Sequence, residues 1–125
     1  MMAEENSQLT SLVGPVRYHL FVQIIRADGT RDEEDEDPIF TVNGLALPRV
    51  GDELCFEGHG MALQMIVREV GHHFYEEHAY TPPHRVIQVV ADAIPFHHET
   101  VRKLRDPVVL ERWIAHFTML EPDVS

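Results

Sequence analysis

The chain reads as a mainly β protein with a C-terminal α element: a small curved antiparallel sheet or small barrel packed by one C-terminal helix. Three observations carry that expectation. Apolar and β-branched residues alternate at period two through several runs between residues 17 and 92. Clusters of Gly, Pro, Asn and Asp separate those runs at short intervals. Past Asp106 the apolar spacing changes to that of a helix.

Residues 1–15 have no sustained periodicity and end in Gly14-Pro15, so a flexible lead-in is expected there, with one β-rich domain over 16–125. From Arg17 to Arg26, Tyr18, Leu20, Val22 and Ile24 fall on one face and His19, Phe21, Gln23 and Ile25 on the other, which predicts a strand. Phe21 and Ile25 imply that its second face is also partly covered. Ala27-Asp28-Gly29-Thr30 has the turn chemistry to end it. After an acidic loop over 28–37, Pro38 opens Ile39-Phe40-Thr41-Val42, and Asn43-Gly44 predicts a type I′ hairpin into Leu45-Ala46-Leu47.

Val50-Gly51-Asp52-Glu53 is a further turn, leading into Leu54-Cys55-Phe56. Glu57-Gly58-His59-Gly60 then reverses the chain into Met61–Val70, where Leu63, Met65 and Val67 share a face. Gly71 predicts a bulge before His72-His73-Phe74-Tyr75. Pro82-Pro83 closes a polar loop, and His84–Asp92 is the last expected strand, with Ile87, Val89 and Ala91 opposed to Val86, Gln88 and Val90. The octet Leu47-Pro48-Arg49-Val50-Gly51-Asp52-Glu53-Leu54 resembles the turn leading into a strand in small SH3-like barrels, a resemblance that implies architecture alone.

Asp106-Pro107 is a strong helix start, because Asp caps and Pro suits the first helical position. Val109, Leu110, Trp113, Ile114, Phe117 and Leu120 recur at helical spacing, predicting a helix over about 107–120 that Pro122 stops, with a short helix at 98–104 before it. The wide apolar face centred on Trp113 requires burial, on the strands or on another subunit.

The formal charge is −11, and the ten residues Asp28–Asp37 supply −6 of it. Such a chain is repelled by nucleic acid phosphates, and no run approaches the about 20 apolar residues that span a bilayer. Nine histidines make the charge sensitive to acid: protonating all of them brings −11 to −2. Cys55 is the only cysteine, so no internal disulfide forms and the cytoplasm is the expected compartment. Its apolar neighbours Leu54 and Phe56 predict a buried structural thiol rather than a nucleophile. Ser7, Ser11 and Ser125 lie near the termini, and neither GxSxG, GxGxxG nor a phosphate-binding GxxxxGK[ST] occurs.

Two clusters remain. The acidic run fails as a calcium loop, since the sixth and twelfth places from Asp28 hold Glu33 and Ile39. Its opposite-sign counterpart, Arg102, Lys103 and Arg105, predicts pairing within or between subunits, while Glu33 and Asp35 are candidates for docking a basic protein. The second cluster is histidine-rich. His72, Glu76, His78 and His84 are the candidate ligands for zinc or another divalent metal, although their spacing matches no known motif. His72 or Phe74 is expected near His84 if Glu76–Pro83 is a hairpin loop, whereas His72 and His73 point to opposite faces of a strand. Phe74, Tyr75, His78 and Tyr80 form an aromatic, pH-sensitive contact surface. The expected function is therefore a non-enzymatic binding or assembly module, engaging another protein or a copy of itself and needing no cofactor. The alternative is a small metal-binding protein or metal-dependent enzyme using the histidines of 72–84.

Overall fold

The computed structural model describes residues 16–32, 36–77 and 80–123, so the expected lead-in at 1–15 lies outside the described residues. Six strands form one sheet: β1 Val16–Gln23, β2 Ile39–Gly44, β3 Glu53–Gly58, β4 Met61–Tyr75, β5 His84–Ala93 and β6 Leu120–Pro122. A 3₁₀ turn at Pro95–His97 leads into helices α1 His98–Leu104 and α2 Pro107–Ile114. The strand order is β3-β4-β5-β1-β2-β6, curled into an open half-barrel with β3 and β6 at its edges. Both helices pack on its concave face. Of the two forms expected, the curved sheet is the one adopted, and one pair within it, β1 with β5, is parallel.

The period-two pattern of β1 decides its burial. Tyr18, Leu20, Val22 and Ile24 are buried, while His19, Phe21, Gln23 and Ile25 are half-buried on the outer face. Leu20, Val22, Phe40, Leu63, Met65, Val67 and Val89 form the centre of the core, which the helices close with Val101, Leu104, Trp113 and Ile114. The Trp113 ring meets Phe40 edge-on at 5.8 Å and Phe117 at 4.9 Å, and its indole N–H donates to the Met61 carbonyl at 3.4 Å. The apolar helix face is thus buried on the sheet of its own chain.

Three local expectations are corrected. Asn43-Gly44 ends β2 instead of turning a hairpin, and neither residue has positive φ. Strand β2 already has partners on both sides, β1 and β6, so no edge is left for residues 45–47 to pair back onto. The bulge lies at Arg68 between Val67 and Glu69, rather than at Gly71. Arg68 leaves the ladder there and its guanidinium reaches Asp92 at 3.0 Å and the Gln23 side chain. Finally, the C-terminal helix ends at Ile114. His116 N–H and Phe117 N–H bond back to the carbonyls of Trp113 and Ile114, tightening the last turn, and Leu120–Pro122 returns as an edge strand on β2. Pro122 is tolerated because that strand is at the edge.

Other local signals hold. His59 (φ 49°) and Gly60 (φ 77°) turn the β3–β4 hairpin in the left-handed region, as a type I′ turn requires. Asp106 caps α2 by accepting from Val108 N–H at 3.0 Å, with Pro107 as the first helical residue. Among the described residues no helix is long and apolar enough to cross a membrane.

Candidate functional site

The distal half of the β4–β5 hairpin projects beyond the core. Strand β3 pairs with β4 only as far as Ile66, and β1 pairs with β5 only from Gln88 onward. Residues 71–75 and 84–87 therefore form a two-stranded arm whose only ladder partners, among the described residues, are each other. The bulge at Arg68 inverts side-chain parity, so Val70, His72 and Phe74 continue the concave face, opposite Val89, Ile87 and Arg85. Gly71, His73 and Tyr75 lie on the outer face, opposite Gln88, Val86 and His84.

The expected aromatic surface lies on this arm. Phe74 is 75% exposed, Tyr75 48%, and Tyr80 wholly exposed at the tip. Each face carries one stacked pair: His72 on Phe74 with ring centres 6.5 Å apart, and Tyr75 on His84 at 4.9 Å. The His84 ring also bonds the Pro82 carbonyl at 3.0 Å, so its Nδ1 carries the proton. These contacts restrain the rings without covering them. A groove of about 390 Å³ opens beside the arm's root, lined by Val50, Arg68, Gly71, His73, Gln88 and Val90. His78 lies outside the described residues.

The described candidate metal ligands, His72, Glu76 and His84, do not converge. His72 faces the concave side opposite Ile87, and His84 stands on the outer side opposite Tyr75, so the hairpin itself separates them. Glu76 lies past the end of β4. Among the described residues no group of three or more His, Cys, Asp or Glu side chains is placed to hold a metal ion.

Glu33 and Asp35 lie outside the described residues, and the ends of their segment are fixed far from the arm. Because β1 runs parallel to β5, the chain leaves β1 at the end of the sheet opposite the arm, about 26 Å along β5 from His84 to Asp92. There Asp32 is buried, 3.4 Å from Arg26, 3.7 Å from Arg102 and 3.6 Å from Arg105. The Asp37 side chain is also shielded, 2.6 Å from Arg31 and 3.7 Å from Arg105. The expected pairing of acidic run with basic cluster is internal, and it ties the loop to the junction between the helices. Asp32 and Asp37, which flank that segment, thus lie at the end of the sheet opposite the aromatic arm.

Cys55 is exposed, which corrects the expected buried thiol: Leu54 and Phe56 turn inward and the cysteine between them turns out. Local desolvation, then the carboxylates of Glu57 and Glu53, push its pKa up, so it is the reverse of an activated nucleophile. At Asp28, bonds from the Thr30 hydroxyl and amide hold the carboxyl below its ordinary range.

Two histidine constellations have no signal in the sequence, because each joins distant segments. His19 lies 2.6 Å from Asp123 and 3.3 Å from the buried Thr41 hydroxyl. Both contacts fall on the same nitrogen, Nδ1, whereas a hydroxyl–imidazole–carboxylate relay needs the two ring nitrogens. His59 and His116 stack with ring centres 3.3 Å apart, beside a groove of about 210 Å³ lined by Met61, Val109, Arg112 and Trp113. Phe96, 87% exposed on the 3₁₀ turn, is a further apolar side chain in solvent. No family model, curated protein or solved structure matches this chain.

Proposed function

We propose that this protein is a non-enzymatic binding module that engages another protein chain through the β4–β5 arm. The observation that carries this reading is the placement of Phe74, Tyr75 and Tyr80 in solvent on a ribbon outside the core. Exposed aromatic rings contribute nothing to core packing, whereas such side chains dominate the energetics of protein interfaces. The stacks on His72 and His84 hold two of the rings in place, which lowers the entropy lost on docking. Residues 68–77 and 84–87 are also close to charge balance, with Glu69, Glu76 and Glu77 offset by Arg68 and Arg85, in a chain of net charge −11. A single exposed thiol fits a reducing compartment such as the cytoplasm.

Site-specific photo-cross-linking in cells tests this reading. A benzoylphenylalanine at position 74 or 80 is expected to give a discrete protein adduct, and the same group at the exposed Lys103 on α1 is not. Phe74→Ala is expected to weaken the isolated complex by about 2 kcal/mol, roughly 30-fold in Kd. Equal adduct patterns at 74, 80 and 103 would discard the arm as the contact surface.

A further inference from the structure

We infer that the arm's partner is a second copy of this chain, joined by antiparallel pairing of the two β4 edges. The inference rests on the arm being the contact surface, and it adds the identity of the partner and the register of pairing.

From Glu69 to Tyr75, β4 has β5 on one side and no ladder partner among the described residues on the other. That edge carries no proline or lysine, its one charged residue is Glu69 beside the bulge at Arg68, and β3 ends before reaching it. An unpaired edge of seven residues is a template for strand addition. Outward-pointing N–H and C=O groups alternate along it, so two copies pair only residues of equal parity, and the two-fold axis passes through a residue rather than between two.

Full overlap of Glu69–Tyr75 with itself puts that axis at His72. In this register Val70 of one copy lies opposite Phe74 of the other, twice by symmetry, on the face that continues the core. Arg68, just before the overlap, keeps its internal bonds to Asp92 and Gln23 on the β5 side. On the outer face Glu69 meets Tyr75, and Gly71 leaves room for the ring of His73. Moving the axis to Gly71 sets Val70 against His72, and moving it to His73 sets Val70 against Glu76. Of these three registers, the centre at His72 is the one that pairs Val70 with Phe74.

The test uses the full, untagged chain. Size-exclusion chromatography with light scattering is expected to give twice the monomer mass of 14.4 kDa. In a Cys55→Ser background, His72→Cys is expected to form an intermolecular disulfide under mild oxidation, because partners across an antiparallel pair lie about 4.5–5.5 Å apart at Cα. His73→Cys in the same background is expected not to bridge, its two copies being diagonal and more than about 7 Å apart. Phe74→Lys is expected to raise the dimer dissociation constant more than tenfold, with the far-ultraviolet dichroism of the folded chain retained. A mass of 14.4 kDa at every concentration overturns the inference, as does a dimer that His72→Cys fails to bridge. A monomer whose residue 74 still cross-links to a different protein ends this inference alone and leaves the arm as a contact surface. A monomer with no cross-link at 74 or 80 ends both.

Discussion

Asp32 and Arg105 form a buried ion pair: their charged atoms lie 3.6 Å apart, with only 4% and 5% of the two side chains exposed. Arg105 also donates to the Asp32 carbonyl at 3.2 Å and lies 3.7 Å from Asp37. One guanidinium therefore holds both ends of the most acidic segment against the junction of the helices. Removing it takes away one of the cations that face each of these two carboxylates. Arg105→Met is expected to cost about 3 kcal/mol, the lower part of the range for breaking a buried pair, because Arg26 and Arg102 still reach Asp32. Urea denaturation measures this, and an unchanged midpoint would refute it.

Trp113 is 3% exposed within a single chain, between Phe40, Phe56 and Phe117. Trp113→Ala is expected to cost about 3–5 kcal/mol. Because the indole is an internal contact, the loss is expected to be independent of protein concentration. A concentration-dependent loss would place the ring at an interface between copies.

Gly58 has no space for a methyl group. A Cβ built there would sit 2.9 Å from Phe117 Cζ, and the ring is itself held between Phe56 and Trp113. Gly58→Ala is expected to cost about 1–3 kcal/mol through overpacking. Adding Phe117→Leu is expected to recover part of that loss, and strictly additive effects in a double-mutant cycle would contradict the contact.

Burial pushes the Tyr18 phenol up to about 12, from 10.0. The folded state therefore keeps its proton where the unfolded state has lost it. The stability this confers is fully present below pH 10 and is lost as pH rises through 12, a fall of about 2 kcal/mol. Thermal melts between pH 9 and 12 follow the fall, and Tyr18→Phe is expected to flatten it. An identical alkaline slope in that variant would assign the titration to another group.

Where the chain's local chemistry and its tertiary neighbours agree, the fold is legible from residues alone. The alternation of Tyr18, Leu20, Val22 and Ile24, the His59-Gly60 turn, the Asp106 cap and the short helix at 98–104 are cases of this kind. Asn43-Gly44 has the strongest local hairpin chemistry in the chain, yet β1 and β6 occupy both sides of β2 and override it. Neither β6 nor the parallel pairing of β1 with β5 has a local signature, since each joins residues about 70 or more positions apart. The aromatic residues of the candidate site were visible as residue types in a loop-rich region. Their division between two faces was not, because it depends on where the bulge falls. A shift of one residue at Arg68 moves His72 to the concave face and leaves His84 outside.

The parallel seam between β1 and β5 also shapes how the molecule assembles. To one side of it lies the β1–β2 hairpin, and to the other the contiguous meander β3-β4-β5. In each block consecutive strands pair, through links that run from two residues between β3 and β4 to fifteen between β1 and β2. The seam brings Leu20 beside Val89, and that closure costs about 1 kcal/mol more chain entropy than the fifteen-residue link between β1 and β2, and more again than the β3–β4 turn. It is expected to limit the folding rate. On a ribosome, the apolar edge of β1 stays unpaired until the chain has grown past Asp92, and β6 joins last of all. Mutations along the seam, such as Val89→Ala, are then expected to slow refolding, while equally costly ones at the β3–β4 turn mainly hasten unfolding.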